Sequence, residues 1–273
     1  MRSFLLNFLI FLSLTVSLQG CETLNNSKPD EFANLDAKGL HQKAKAAMDA
    51  ENYQKAIKLY ETLEARYPFG DYAAQTQLNI AFAYYKNDDP ETAIASADRF
   101  IKIHPRHPNV DYAYYLKGLI NFNRSIGFLE RFLPTDSSQR NPTNVKEAYA
   151  NFELLTRRFP NSKYTPDAKQ RMIALRNNLA MYEVHVARFY LKRKAYIAAA
   201  NRGSYVIKEF QRTPAVPHAL RVMEQAYTKM GLHVLAADAK RVYQQNYADG
   251  LPETEFKETT FIHRVWSFFG FDQ

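Results

Sequence analysis

One thiol is available to this chain, at Cys21. It follows Leu18-Gln19-Gly20, directly behind a stretch from Phe4 to Val16 that is apolar apart from Asn7, Ser13 and Thr15. With Arg2 in front, residues 1–20 have the pattern of a bacterial secretory signal peptide. The Leu-Gln-Gly-Cys string resembles a lipobox, where a diacylglyceryl group is joined to the sulfur before the leader is cut away. The expected chemistry is therefore a covalent lipid on Cys21, S-diacylglycerol with an N-acyl chain such as palmitate, at the head of the mature protein. An uncleaved anchor or an ordinary secretory leader is the competing reading. The stretch falls short of the roughly 20 apolar residues that cross a bilayer.

Other reactive constellations are scarce. The sequence has no Gly-x-Ser-x-Gly elbow, no phosphate-binding glycine loop and no His-Glu-x-x-His pair, and its nine glycines are scattered singly. His104 and His107 are three apart, but Pro105 and Pro108 interrupt them, so packing or capping is expected of them rather than metal ligation. Asp88, Asp89 and Glu91 form an acidic turn that suits the positive start of a helix. No catalytic residue, metal or other cofactor is expected, and the chain is read as a non-enzyme.

Charge offers a second kind of chemistry. Without residues 1–20 the chain keeps 35 Lys plus Arg against 28 Asp plus Glu, a formal +7. No cysteine is left for a disulfide, so packing alone must stabilise the fold. The stretch from Lys163 to Arg202 holds nine cations, Arg193 and Lys194 among them, opposed only by Asp167 and Glu183. It is either a docking face for an acidic protein surface or a solvated helix face. Nucleic acid is not expected, because no recognised nucleic-acid motif accompanies the charge.

The elements that must carry these groups emerge from a repeat. Ala56, Ala93, Ala148, Ala199 and Ala236 open similar segments, with a large apolar residue seven positions on (Leu63, Phe100, Leu155, Val206, Tyr243). Eleven positions on stands a ring: Tyr67, His104, Phe159, Phe210 or Tyr247. Offsets of 0, 7 and 11 share one face of a 3.6-residue helix. Pro68, Pro105 and Pro160 close the first three segments. Upstream, Ile80-Ala81 and Tyr84 mark a preceding helix, and Val186-Ala187 and Tyr190 hold the same places before Ala199. Each unit is a helical hairpin that resembles the tetratricopeptide repeat. The expected fold is all-α, a right-handed superhelix of about five such hairpins, over 37–70, 71–108, 109–163, 164–212 and 213–248. A linker at 21–36 precedes it.

Two segments depart from the period. Turn formers between 123 and 144, including Gly127, Pro134 and Asp136, predict an inserted loop in the third repeat. Thr165-Pro166 starts a helix whose Ala168, Met172, Leu175 and Leu179 make an apolar stripe, expected to run on into repeat four. The tail 249–273 places Phe261, Val265, Phe268 and Phe269 on one helical face; it reads as a partner or lipid interface, or as a cap over repeat five. First helices line the groove of such an array. Asn79, Phe82 and Tyr85 of repeat two and Tyr112, Tyr115 and Phe122 of repeat three are therefore candidates to hold an extended, aromatic-rich peptide. The other reading packs several of these rings against the inserted loop. The residues left outside the repeats are too few for a lytic-transglycosylase-like catalytic domain.

With leader, repeats and insertion in hand, the chain resembles the BamD/ComL family of tetratricopeptide lipoproteins. The strings that carry the resemblance are Arg66-Tyr67-Pro68-Phe69-Gly70, Ala83-Tyr84-Tyr85-Lys86-Asn87, Asp98-Arg99-Phe100-Ile101, His107-Pro108-Asn109 and Phe159-Pro160-Asn161-Ser162-Lys163-Tyr164. Arg140-Asn141-Pro142 departs from the family's Arg-Asp-Pro. The resemblance implies a lipid-anchored scaffold on the periplasmic face of the outer membrane, within the BAM complex that assembles β-barrel proteins. Its implied partners are the periplasmic domains of BamA, other BAM lipoproteins and unfolded outer-membrane proteins. Asn201 and Arg202 match the segment associated with the BamA contact, with Arg193 and Lys194 nearby. The alternative is an envelope adaptor lipoprotein that binds cell wall or another envelope complex.

Overall fold

A computed structural model describes residues 32–125, 138, 141–247 and 250. Cys21, the expected signal peptide 1–20, most of the expected linker 21–36, the expected insertion save its ends and Ser138, and the tail beyond 250 lie outside the described residues. Among the described residues the chain is all-helical, with ten helices. They are α1 (Ala37–Asp49), α2 (Tyr53–Arg66), α3 (Ala73–Lys86), α4 (Pro90–Ile103) and α5 (Val110–Ser125). There follow α6 (Thr143–Arg158), α7 (Thr165–Lys192), α8 (Tyr196–Glu209), α9 (Ala215–Lys229) and α10 (His233–Asn246). The chain divides into two compact units, one ending at Ala73 and one starting at Ala74.

In the first unit α1 and α2 form a hairpin. The Asp36 carboxylate caps α1 by accepting the Gly39 amide at 2.7 Å, filling one of the donors a helix start leaves open. Leu40, Ala44 and Ala47 are buried at helical spacing on α1, as are Ala56, Tyr60 and Leu63 on α2. Upstream, the Phe32 carbonyl accepts Arg66 Nη1 at 2.8 Å.

The second unit is built of hairpins that share cores with their neighbours. Ala81 of α3, Ala93 and Ala97 of α4, and Leu116 and Ile120 of α5 form one cluster. Gly118 lets α5 meet α6 closely: a Cβ there would lie 2.4 Å from the Phe152 ring. Helix α7 runs unbroken for 28 residues. Ala168 and Leu175 in its first half join the core of α5 and α6. Ala180, Val184 and Ala187 in its second half pack with α8 and α9.

Four hairpin turns repeat one backbone solution. Glu51, Asp88, Lys194 and Gly231 each have φ between 57° and 73°, and each stands five residues before its unit's alanine. The next residue's amide then reaches back to a carbonyl five positions earlier, as in Asn52→Ala47, Asp89→Tyr84, Ala195→Tyr190 and Leu232→Tyr227. This is the left-handed helix ending that usually selects glycine; three of the four turns hold it with a side chain.

One expectation about the rings needs correcting. Tyr67, His104, Phe159, Phe210 and Tyr247 are C-caps, one residue past the helix, although Phe159 and Phe210 still pack against the cores that hold Leu155 and Val206. Each amide still bonds the carbonyl of the large residue four before it. Helices α8 and α10 end at this same point with no proline following, so the cap geometry, not proline, defines the ending.

Candidate functional site

The six groove residues read from the sequence all lie half-buried on α3 and α5. The structure brings five of them into a continuous aromatic surface. Phe82 and Tyr85 have ring centroids 6.2 Å apart, and both pack with Tyr112 against the α3–α5 core. Tyr112 meets Tyr115 at 6.5 Å, and Phe122 follows two turns on, edge-on to Phe152. Asn79 belongs to a polar row beside them, accepting Gln75 Nε2 at 2.7 Å.

A residue missed at the sequence level completes this surface. Tyr164, at the start of α7, stacks on Tyr115 at 4.8 Å and 16°. The Tyr115 hydroxyl donates to Asp167 Oδ2 at 2.6 Å, Arg171 Nε donates to the same oxygen at 2.6 Å, and the Arg171 guanidinium lies 4.7 Å over the Phe122 ring. Burial and the hydrogen bond to Asp167 push the Tyr115 phenol up to about 12, so it stays a donor at any physiological pH. Burial alone would raise the Asp167 pKa; the hydrogen bonds from Arg171 and Tyr115 and the Arg171 charge outweigh it and hold the carboxyl below its usual range. Tyr85 accepts a hydrogen bond from Asn123. Tyr85 and Tyr115 are thus fixed by their hydroxyls, which preorganises that part of the surface. No sequence signal links Tyr115 to Asp167, 52 residues away.

The repeat maps this surface onto a second one. Ala93 to Ala199 and His104 to Phe210 are both 106 residues. At that offset Asn79, Phe82 and Tyr85 become His185, Arg188 and Leu191 on α7, and Tyr112, Tyr115 and Phe122 become His218, Arg221 and Thr228 on α9. Five of these six first-helix positions are aromatic in one pair of hairpins, and four of the six are histidine or arginine in the next. Arg188 Nη2 donates to His218 Nδ1 at 3.1 Å. Burial first, then the charges of Arg188 and Arg221 and the neighbouring His185, keep His218 below the ordinary histidine range. Ser138 of the insertion, buried, contacts His185 Nε2 through its hydroxyl at 3.0 Å.

The residues expected to meet a partner do not form one cluster. Arg193 is the C-cap of α7, its guanidinium 5.9 Å over the exposed Phe189 ring, and Lys194 occupies the left-handed turn position. Asn201 and Arg202 are exposed on α8. Arg202 Nη1 is already engaged inside the chain, donating to Glu183 Oε2 at 2.7 Å. The Glu183 side chain is only 10% exposed and that of Arg202 45%, so one end of this arginine neutralises a buried carboxylate while other donors remain accessible.

Around Arg202 the second helices carry an unexpected apolar character. Two positions before the repeat alanine stand Gln54, Glu91 and Lys146 in the first three copies, but Ile197 and Val234 in the last two. Ile197 is 69% and Val234 77% exposed. Six positions after the alanine, Tyr205 and Val242 are exposed as well, and Leu235 lies beside Val234. Among the described residues no group of three or more His, Cys, Asp or Glu could hold a metal, and no described helix is long and apolar enough to cross a membrane.

Residues 33–242 match the YfiO family, described as outer membrane lipoprotein. The chain is 42% identical over 260 residues to the outer membrane protein assembly factor BamD of Neisseria meningitidis serogroup A / serotype 4A, covering 94% of each. It is 37% identical over 241 residues to the BamD of Vibrio cholerae serotype O1, covering 88% of this chain and 97% of the relative. The Haemophilus influenzae BamD is 34% identical over 238 residues, with 87% and 89% covered.

Proposed function

The chain belongs to the BamD family of outer membrane lipoproteins and is an outer membrane protein assembly factor; from that premise we propose a scaffold with two separate client surfaces, tethered by lipid at Cys21. The scaffold is non-catalytic. It sits on the periplasmic face of the outer membrane, where more than one acyl chain makes anchoring durable. The barrel-forming subunit BamA docks on the second-helix side of α8 and α10, with Asn201 and Arg202 giving polar definition and Arg193 and Lys194 at the edge. Unfolded outer-membrane protein chains lie on the aromatic surface of α3 and α5, by ring contact and backbone hydrogen bonds. Holding both clients on one tethered body raises their local concentration for each other. An adaptor that binds cell wall is not favoured by the relatives the chain resembles.

The observation that carries the docking reading is the change at one repeat position, from Gln54, Glu91 and Lys146 to the exposed Ile197 and Val234. Solvent gives no reason to place aliphatic side chains there, whereas a partner does. Ile197→Asp with Val234→Asp is expected to reduce recovery of the barrel-forming subunit from detergent-solubilised outer membranes by about tenfold or more, with unchanged thermal unfolding. Undiminished recovery would move the docking face elsewhere.

A further inference from the structure

Between the end of α7 and α9 lies a cleft of about 490 Å³. Lys192 and Lys194 line it from one side and Arg221 and Lys229 from the other, with Glu224 the one carboxylate among its lining residues. Leu191 contributes an apolar wall and Gln225 an exposed amide. The three lysines are exposed, and among the described residues none has an ion-pair partner. Arg221 is held in place from outside the cleft: its Nη2 donates to the Tyr243 hydroxyl at 3.0 Å, and its guanidinium lies 4.7 Å over that ring.

Four cations around one recess repel one another, and a single glutamate offsets only part of that repulsion. The arrangement is also specific to this pair of hairpins. At the 106-residue offset Lys192 corresponds to Lys86, but Lys194, Arg221 and Lys229 correspond to Asp88, Tyr115 and Asn123, so three of the four cations are absent from the earlier pair. We propose that this cleft is a docking site for an extended acidic segment of a partner protein, whose carboxylates pair with Lys192, Lys194, Arg221 and Lys229. A recess between two helices with an apolar wall and an amide admits a polypeptide strand, side chains alternating between charge and contact. A flat anionic membrane surface would meet protruding cations instead. The inference goes beyond the proposed function: Lys194 is shared with the edge of the docking face, but Lys192, Arg221 and Lys229 belong neither to the α8 and α10 face nor to the aromatic surface.

The test uses the full-length protein in detergent and a short fluorescein-labelled peptide alternating glutamate with leucine, read by fluorescence anisotropy at low salt. Lys192→Gln with Lys229→Gln is expected to weaken binding by about tenfold, and the peptide with glutamine in place of glutamate is expected not to bind. The charge-matched control, Lys43→Gln with Lys55→Gln on α1 and α2, is expected to change affinity by about twofold or less. Equal losses in the two double variants would reduce the effect to net charge and overturn the proposal. Displacement of the peptide by equimolar glycerol 3-phosphate would overturn it too, assigning the cleft to a lipid headgroup. Either failure leaves the Ile197 and Val234 test untouched, since that experiment reads a different face.

Discussion

Arg202 has two functions competing for one side chain. Its contact with Glu183 neutralises a carboxylate that is almost wholly enclosed, and a buried charge without a partner is costly. Arg202→Glu should therefore do more than remove a docking contact, since it sets two carboxylates against each other. It is expected to lower unfolding stability by about 1–3 kcal/mol, read from urea midpoints, as well as to reduce recovery of the barrel-forming subunit. The double variant Arg202→Leu with Glu183→Leu separates the two effects, because paired removal leaves no orphan charge. Stability should return while subunit recovery stays low. Recovery at the unsubstituted level would confine Arg202 to an internal role.

At the scale of elements, close approach decides more than propensity. Gly118 sits mid-helix in α5, where glycine is otherwise unfavourable, and the Phe152 ring fills the space its missing Cβ leaves. Phe152 is fully enclosed and has nowhere to retreat. Gly118→Ala is expected to destabilise by about 1–3 kcal/mol through overpacking, measured by chemical denaturation. Gly203→Ala should cost less: a Cβ there would meet the flexible Met223 side chain first, at 2.6 Å, although the Ala219 carbonyl at 3.1 Å limits the relief. Equal effects would mean that α5 and α6 can separate more easily than their packing implies. The same elements arrange function: α3 and α5 present rings, two of them held by their hydroxyls, and α7 and α9 present cations.

For the whole molecule, histidines set the response to acid. Burial and a neighbouring charge lower the pKa of His41 beside Lys45 and of His104 beside His107, and His218 shares this direction. A histidine depressed in the fold is protonated first in the unfolded chain, so the unfolded state binds more protons as pH drops below 6.5. Stability from these groups is thus complete above the unfolded value and is lost as pH falls through it toward the folded values. The urea midpoint is expected to decrease between about pH 7.5 and about pH 5.5. His218→Asn, whose side-chain oxygen can still accept from Arg188, should flatten part of that slope. An unchanged slope would show that His218 does not contribute to the acid response.

The sequence by itself determined the hairpin architecture, because alanine, the large residue seven on and the terminal ring recur and helical periodicity leaves them one arrangement. It also marked α7 as a long element, since Thr165-Pro166 opens a stripe that no breaker interrupts before Lys192. The aromatic candidates on α3 and α5 could be named from their period alone. Periodicity assigns a residue to a face but carries no information about what lies across from it. For that reason Tyr164 stacked on Tyr115, the pairing of Arg202 with Glu183, and the cleft joining Lys192 to Lys229 were decided only by tertiary structure. Each depends on side chains from separate helices being brought together, and how closely helices approach is set by contacts such as Gly118 against Phe152 and Gly203 against Met223, which periodicity does not reveal.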